Sequence, residues 1–135
     1  MLANARADRL GRFWRPYMTR RCLVPANGYF EWTADKQPWY FSHKVLPVIC
    51  FAGLDTGRGF VIVTTDANAD GAHVHERMPV VLEPDEARAW LDPEADDAAR
   101  LAAPLAAGRL NAWRVAKAVG NVRNEGPELI EPVLD

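Results

Sequence analysis

Cysteine is scarce in this chain of 135 residues: there are two, Cys22 and Cys50. Two thiols far apart, without metal-type spacing, exclude a disulfide framework and a cysteine-built metal site. Each lies in an apolar, strand-like run, RCLVP or VICFAG, where a thiol packs as a small hydrophobe and stays unreactive. Long apolar runs are missing too. None approaches the roughly 18 residues that a membrane span needs, and the N-terminal MLANARADRL has no apolar signal core. A cytoplasmic protein is expected. Excess charge of one sign is also lacking: the net charge of −2 argues against general nucleic-acid binding by bulk attraction. No repeat and no linker-like stretch breaks the chain, so one domain over residues 1–135 is expected.

What is present is unevenly placed. Apolar residues make up 49% of the chain, enough for a core without staples. Residues 6–21 hold Arg6, Arg9, Arg12, Arg15, Arg20 and Arg21 against Asp8 alone. Residues 83–97 hold seven acids against Arg88 alone. An anionic partner would dock at the first end, although arginines on a solvated face give the same pattern.

The periodicities predict a short helix over 6–15, where Leu10, Phe13, Trp14 and Tyr17 form an apolar stripe that Pro16 ends. Strands are predicted at 21–25, 29–32, 39–42, 48–53, 60–65, 79–82 and 110–116. Asn27-Gly28 reads as a tight turn with positive φ, returning the chain from the first strand to the second. Asp55–Gly59 links two apolar runs as a hairpin or near neighbours. Pro84-Asp85-Glu86 opens a helix through Leu91, and 95–103 reads as another helix ended by Pro104. Strands mixed with short helices, in no βαβ order, predict an α+β fold with a mostly antiparallel sheet.

Several residues are candidates for chemistry. Glu31 stands among Tyr29, Phe30 and Trp32. Strand alternation puts Glu31 on the face of Tyr29, with Phe30 and Trp32 opposite. Partial desolvation there suits a carboxylate to proton transfer; an edge-strand glutamate facing water is the other reading. His73 and His75, with Asp66, Asp70 or Glu76, are a weak basis for a metal site. A single acid–base His75 in a loop after an apolar strand fits better. Asn4 and Arg6 are compact polar groups at the arginine-rich end, suited to a sugar oxygen and a phosphate. Thr64 and Thr65 follow an apolar strand. Asn121, Arg123 and Asn124 have the chemistry of a turn.

Seven collinear blocks carry a more specific signal: NAR at 4–6, RRCLVPANGYFEW at 20–32, KQPWYF at 36–41, FAGL at 51–54, IVTTDAN at 62–68, HVHERMPVVL at 73–82 and AVGNVRNEGPELIEPV at 118–133. Together they resemble the SOS response-associated peptidase (SRAP) family, the abasic-site processing proteins. The resemblance runs from Asn4 to the C-terminus. It implies a barrel-like, mostly antiparallel sheet with short flanking helices. It also implies single-stranded DNA with an abasic site as partner, and neither metal nor cofactor. In that family an N-terminal cysteine captures the ring-opened sugar aldehyde as a thiazolidine crosslink, and peptidase and lyase chemistry accompanies it. By resemblance Asn4 holds the sugar or the N-terminal amine, Glu31 moves protons, and His75 assists near a sugar hydroxyl. Arg6 and Arg77 grip phosphates, with Thr64 nearby.

One departure is large. Family members begin Met-Cys-Gly-Arg-Phe, some tens of residues ahead of the NAR block, whereas here Met1-Leu2-Ala3 leads straight into Asn4. The expectation is a member truncated at its N-terminus, without the nucleophilic cysteine. The α-amine of Met1 would lie near Asn4 and form at most a reversible imine. A non-catalytic module that binds damaged single strands, or an inactive remnant, is the alternative.

Overall fold

The computed structural model describes residues 4–134. Met1, with its α-amine, lies outside the described residues. Among the described residues, nine strands and one α-helix are joined by short 3-10 turns. The strands are β1 (Asn4–Arg6), β2 (Arg21–Ala26), β3 (Tyr29–Trp32), β4 (Pro38–His43), β5 (Ile49–Asp55), β6 (Phe60–Asp66), β7 (Arg77–Pro79), β8 (Val81–Leu82) and β9 (Leu110–Arg114); the helix is α1 (Pro84–Leu91). The first sheet runs β1-β6-β5-β2, with β7 added to β6 and β8 to β5, and the second runs β3-β4-β9. Only β1 is parallel to its neighbour. The fold is therefore α+β and mostly antiparallel.

Alternation along β5 divides the core in two. Ala52 and Leu54 face one way, joining Ala5, Val61, Val63 and Trp90 under the helical segments. Ile49 and Phe51 face the other way, joining Phe41 of β4 and Leu110 of β9. The two sheets thus close over a shared interior in a barrel-like manner. Helix α1 forms as its local signals require: Pro84 opens it, Asp85 and Glu86 occupy the first turn, and Ala87 and Trp90 are its buried residues. The Trp90 indole donates to the carbonyls of Cys22 (2.9 Å) and Gly53 (3.3 Å), which fixes α1 on the first sheet. No helix among the described residues is long and apolar enough to cross a membrane.

Four expectations are corrected. Residues 6–15 are not an α-helix but a 3-10 turn (Ala7–Arg9), loose turns, and a second 3-10 segment, Arg15–Arg20. Strand β1 claims Arg6, Pro16 removes a donor, and the short stretch left, with Gly11 inside it, cannot nucleate a helix. Leu10 and Trp14 are buried and Tyr17 packs on them, but Phe13 turns outward. Second, 95–103 shortens to a 3-10 turn, Ala98–Leu101. Its core contacts include Ala95, Ala98 and Leu101, a spacing of three that matches the 3-10 repeat, with Ala102 following at the end of the turn.

Third, Asn27-Gly28 is no hairpin turn. Strand β2 pairs with β5 and β3 with β4, so the chain changes sheets there. Gly28 is not among the residues with positive φ. Glycine is needed instead for close approach, since a Cβ would collide with the Phe41 carbonyl oxygen and the Tyr40 hydroxyl. Fourth, the expected strand at 79–82 is two short strands around Val80. Its N–H donates to the Val63 carbonyl (2.8 Å) and its carbonyl accepts from Ala52 N–H (3.0 Å). The segment wedges between β5 and β6, whose direct pairing is confined to Gly53–Asp55 against Phe60–Ile62.

Candidate functional site

The wedge and the second sheet together open a cleft of about 510 Å³, lined by Asn4, Arg6, Glu31, Thr64, His75 and Arg77 among others. All six residues singled out in the sequence therefore reach one place, from four strands and one loop.

Register explains the convergence on the first sheet. Asn4 pairs with Ile62 and Arg6 with Thr64, so these four side chains share one face, while Ala5 and Val63 point into the core behind. Across β6, Thr64 pairs with Pro79 and Asp66 with Arg77, extending the same face. On the second sheet, Tyr29 lies opposite Phe41 and Glu31 opposite Trp39. Tyr29, Phe41 and Trp39 all pack in the interior between the sheets, so Glu31 stands on that inner face, where the apolar filling stops and the cleft begins. The expected pairing of Tyr29 with Glu31 on one face holds.

Glu31 is half-buried, and its carboxylate accepts the N–H of Trp32 at 3.2 Å. Tyr29 beneath it is clamped by a stack on Phe41 (4.9 Å) and an edge contact with Phe51 (5.7 Å). Burial, and to a smaller extent the Glu31 charge, pushes the Tyr29 phenol far above its ordinary value, so it stays protonated.

His75 ends a loop tied by Asn68, whose amide oxygen accepts from the N–H groups of Asp70 and Gly71 and whose amide nitrogen donates to the Leu105 carbonyl. Val74 is buried and pins the loop to the core. The His75 Nδ1 lies 3.1 Å from the Arg77 N–H and 3.2 Å from the Arg77 carbonyl. A ring neutral at Nδ1 accepts the Arg77 N–H and carries its proton on Nε2.

The arginines are held differently. Arg77 is mostly buried and forks between Asp66 (2.9 Å) and the carbonyl and hydroxyl of Thr64 (3.1 and 3.2 Å). Arg6 makes a two-pronged contact with Asp8, at 3.1 and 3.0 Å. Hydrogen bonding to Arg6 lowers the Asp8 carboxyl below its ordinary range, and the same bond raises the guanidinium. Each guanidinium is thus pre-set by an exposed acid that a phosphate can replace or share.

Sequence reasoning missed Asp8 and Asp66 as the partners of these arginines. Asp66 had drawn notice only as a metal candidate, and nothing local in the sequence links it to Arg77, eleven positions on. Two other residues weighed for a metal are engaged elsewhere. His73 packs edge-on against Trp39 (4.9 Å), and Asp70 accepts the N–H groups of Gly108, Arg109 and Leu110. Among the described residues no three His, Cys, Asp or Glu side chains cluster to hold a metal. Neither Cys22 nor Cys50 lines the cleft, and burial raises the Cys22 thiol. Asn121 and Asn124 serve turns, as their chemistry suggested.

Similarity to known proteins extends along nearly the whole chain. The chain is 34% identical over 150 residues to the abasic site processing protein YedK of Escherichia coli, covering 98% of this chain and 68% of that protein. It is 32% identical over 149 residues to YoqW of Bacillus subtilis, likewise named an abasic site processing protein, covering 96% of this chain and 66% of the relative. A crystal structure of a Bacteroides thetaiotaomicron protein superposes with a TM-score of 0.84 at 32% identity, over 97% of this chain and 66% of the other. The chain thus spans about two thirds of the length of such relatives. The family model described as SOS response associated peptidase (SRAP) matches residues 1–122, and the chain belongs to that family.

Proposed function

We propose that this chain recognises and processes abasic sites in single-stranded DNA as part of a DNA-damage response. The observation that carries the reading is the meeting of an amide, a carboxylate and an imidazole (Asn4, Glu31 and His75) with two arginines in one cleft. Similarity to relatives named abasic site processing proteins supports it.

In this reading the ring-opened deoxyribose enters the cleft with its aldehyde toward Glu31. An amine adds to the aldehyde carbon, and the carbinolamine must then lose water. Glu31 carries the proton from the attacking nitrogen and returns it to the departing hydroxyl. His75 exchanges a proton through Nε2 at the sugar hydroxyl, and Asn4 holds the sugar by its amide. Arg77 and Arg6 take the flanking phosphates, with the Thr64 hydroxyl beside Arg77. Tyr29 supplies a rigid floor.

The cleft holds acid–base and phosphate-gripping groups, and no described thiol lines it. The family's thiol would come from the Met-Cys-Gly-Arg segment that the resemblance places ahead of the NAR block. The same observation favours a second reading, a module that binds the lesion without crosslinking it.

The test uses an abasic single-stranded oligonucleotide and its intact counterpart. Residues 1–135 should bind the abasic strand preferentially and give no heat-stable adduct. A version preceded by the family's N-terminal segment should give the adduct, and Glu31→Gln in it should slow formation by about 10²–10⁴-fold, the usual worth of a positioned acid–base group. Equal binding of both strands would sink the abasic-site reading. A full rate with Glu31→Gln would remove Glu31 from the acid–base role, and an extended version that binds the abasic strand but gives no adduct would leave only the binding module.

A further inference from the structure

We propose that the exposed turn segment following β1 continues the cleft as a track for unpaired nucleic acid, with Arg9, Arg12 and Arg15 on phosphates and Phe13 stacked on a base. The proposal extends the reading of the cleft as a single-strand site.

The segment turns inside out in a particular way. Leu10 and Trp14 are buried anchors, and Tyr17 packs with them. That leaves Arg9, Arg12, Phe13 and Arg15 exposed around the anchors. Phe13 keeps 60% of its surface in water. It stands edge-on to the fixed Trp14 ring at 5.0 Å, so it is propped rather than loose.

The arginines nearby divide by use. Arg20 pairs with Asp55, and Arg21 is spent on the carbonyls of Met18, Trp90 and Asp92 and on the Trp90 ring. Arg6 is held by Asp8 in the cleft. Arg9, Arg12 and Arg15 enter no ion pair with a described residue. The one acid of the segment is already bonded to Arg6, so these three charges face solvent without an ion-pair partner among the described residues. They begin three residues after Arg6, on the segment that leaves the end of the cleft-lining strand β1. Cations interleaved with an exposed aromatic are the means by which proteins hold single strands without reading sequence: phosphates meet the charges and any unpaired base offers a π face. A duplexed flank offers phosphates but no free base face.

The experiment measures anisotropy of labelled abasic strands across a salt series, with a strand of about 5 nucleotides that fills the cleft and strands of about 20 extended on either side. Wild type should bind one of the long strands more tightly than the short one. The triple variant R9Q/R12Q/R15Q should lose about 2 from the slope of log affinity against log salt on that strand, from about 0.7 per phosphate contact, with no change on the short strand. Phe13→Ala should weaken the long strand about tenfold, a stacking loss of ordinary size, and annealing a complement over the flank should abolish that difference. All four positions are exposed, and an unchanged thermal melt confirms folding.

An unchanged slope for the triple variant, or no gain from lengthening the strand, would overturn the proposal. A Phe13→Ala loss that persists on a duplexed flank would overturn stacking. Arg77→Ala reports on the cleft separately: if it weakens the short strand while the triple variant changes nothing, the track fails and the cleft reading stands.

Discussion

Arg77→Ala separates the structural from the functional work of one side chain. Its fork ties β7 to β6 through two bonds to Thr64, and to Asp66 through an ion pair. The Asp66 side chain is 87% exposed, so that pair adds little to stability. The Thr64 bonds are partly buried and are worth about 1 kcal/mol each. The variant should therefore lose about 1–2 kcal/mol. For a chain of 135 residues, an unfolding entropy of about 2.1 cal/mol/K per residue converts this to a drop in Tm of about 4–7 °C. A folded variant then allows the functional measurement. Loss of one phosphate contact should reduce the salt slope of single-strand binding by about 0.7. Arg77→Lys tests geometry, because one ammonium cannot bridge Thr64 and Asp66 as the fork does. It should recover the salt slope and little of the Tm. Calorimetry and a salt titration read both. A slope unchanged in Arg77→Ala, with Tm lowered as expected, would show that Arg77 is structural and does not meet phosphate.

Two further outcomes follow from other parts of the fold. Gly28→Ala drives a methyl into the Phe41 carbonyl and the Tyr40 hydroxyl; a loss of at least about 1–3 kcal/mol in urea unfolding is expected, and a neutral result would refute close approach as the reason for glycine. Glu83 bonds to Arg109 and His43, and the Arg109 bond is the main cause that holds its carboxyl below the ordinary value. A depressed folded pKa means stabilisation that is complete above the ordinary glutamate range and lost as pH falls through the folded value. Stability should thus decline below about pH 4, and Glu83→Gln should flatten that part of the curve; an unchanged acid limb would refute the assignment.

The opening of α1 was legible because proline at the first turn and acids beside it act within a few residues. The strands β3 to β6 were legible because alternation is local, and alternation alone put Tyr29 and Glu31 on one face. The six cleft residues were legible only as motif positions, and their chemical types were suggestive before their meeting was visible. Strand β1, three residues long, is too short to show a period, and it forms because β6 offers an edge. The exit of the chain from one sheet to the other at Gly28 depends on which edges lie free, which no turn signal encodes. The wedge of Arg77–Leu82 between β5 and β6 likewise exists only once both strands have diverged. Local torsional and hydrophobic preferences thus decide which segments become strands. Pairing partners, the depth at which Glu31 sits, and the acids that hold Arg6 and Arg77 are settled by tertiary contact, because each depends on surfaces that exist only after distant segments meet.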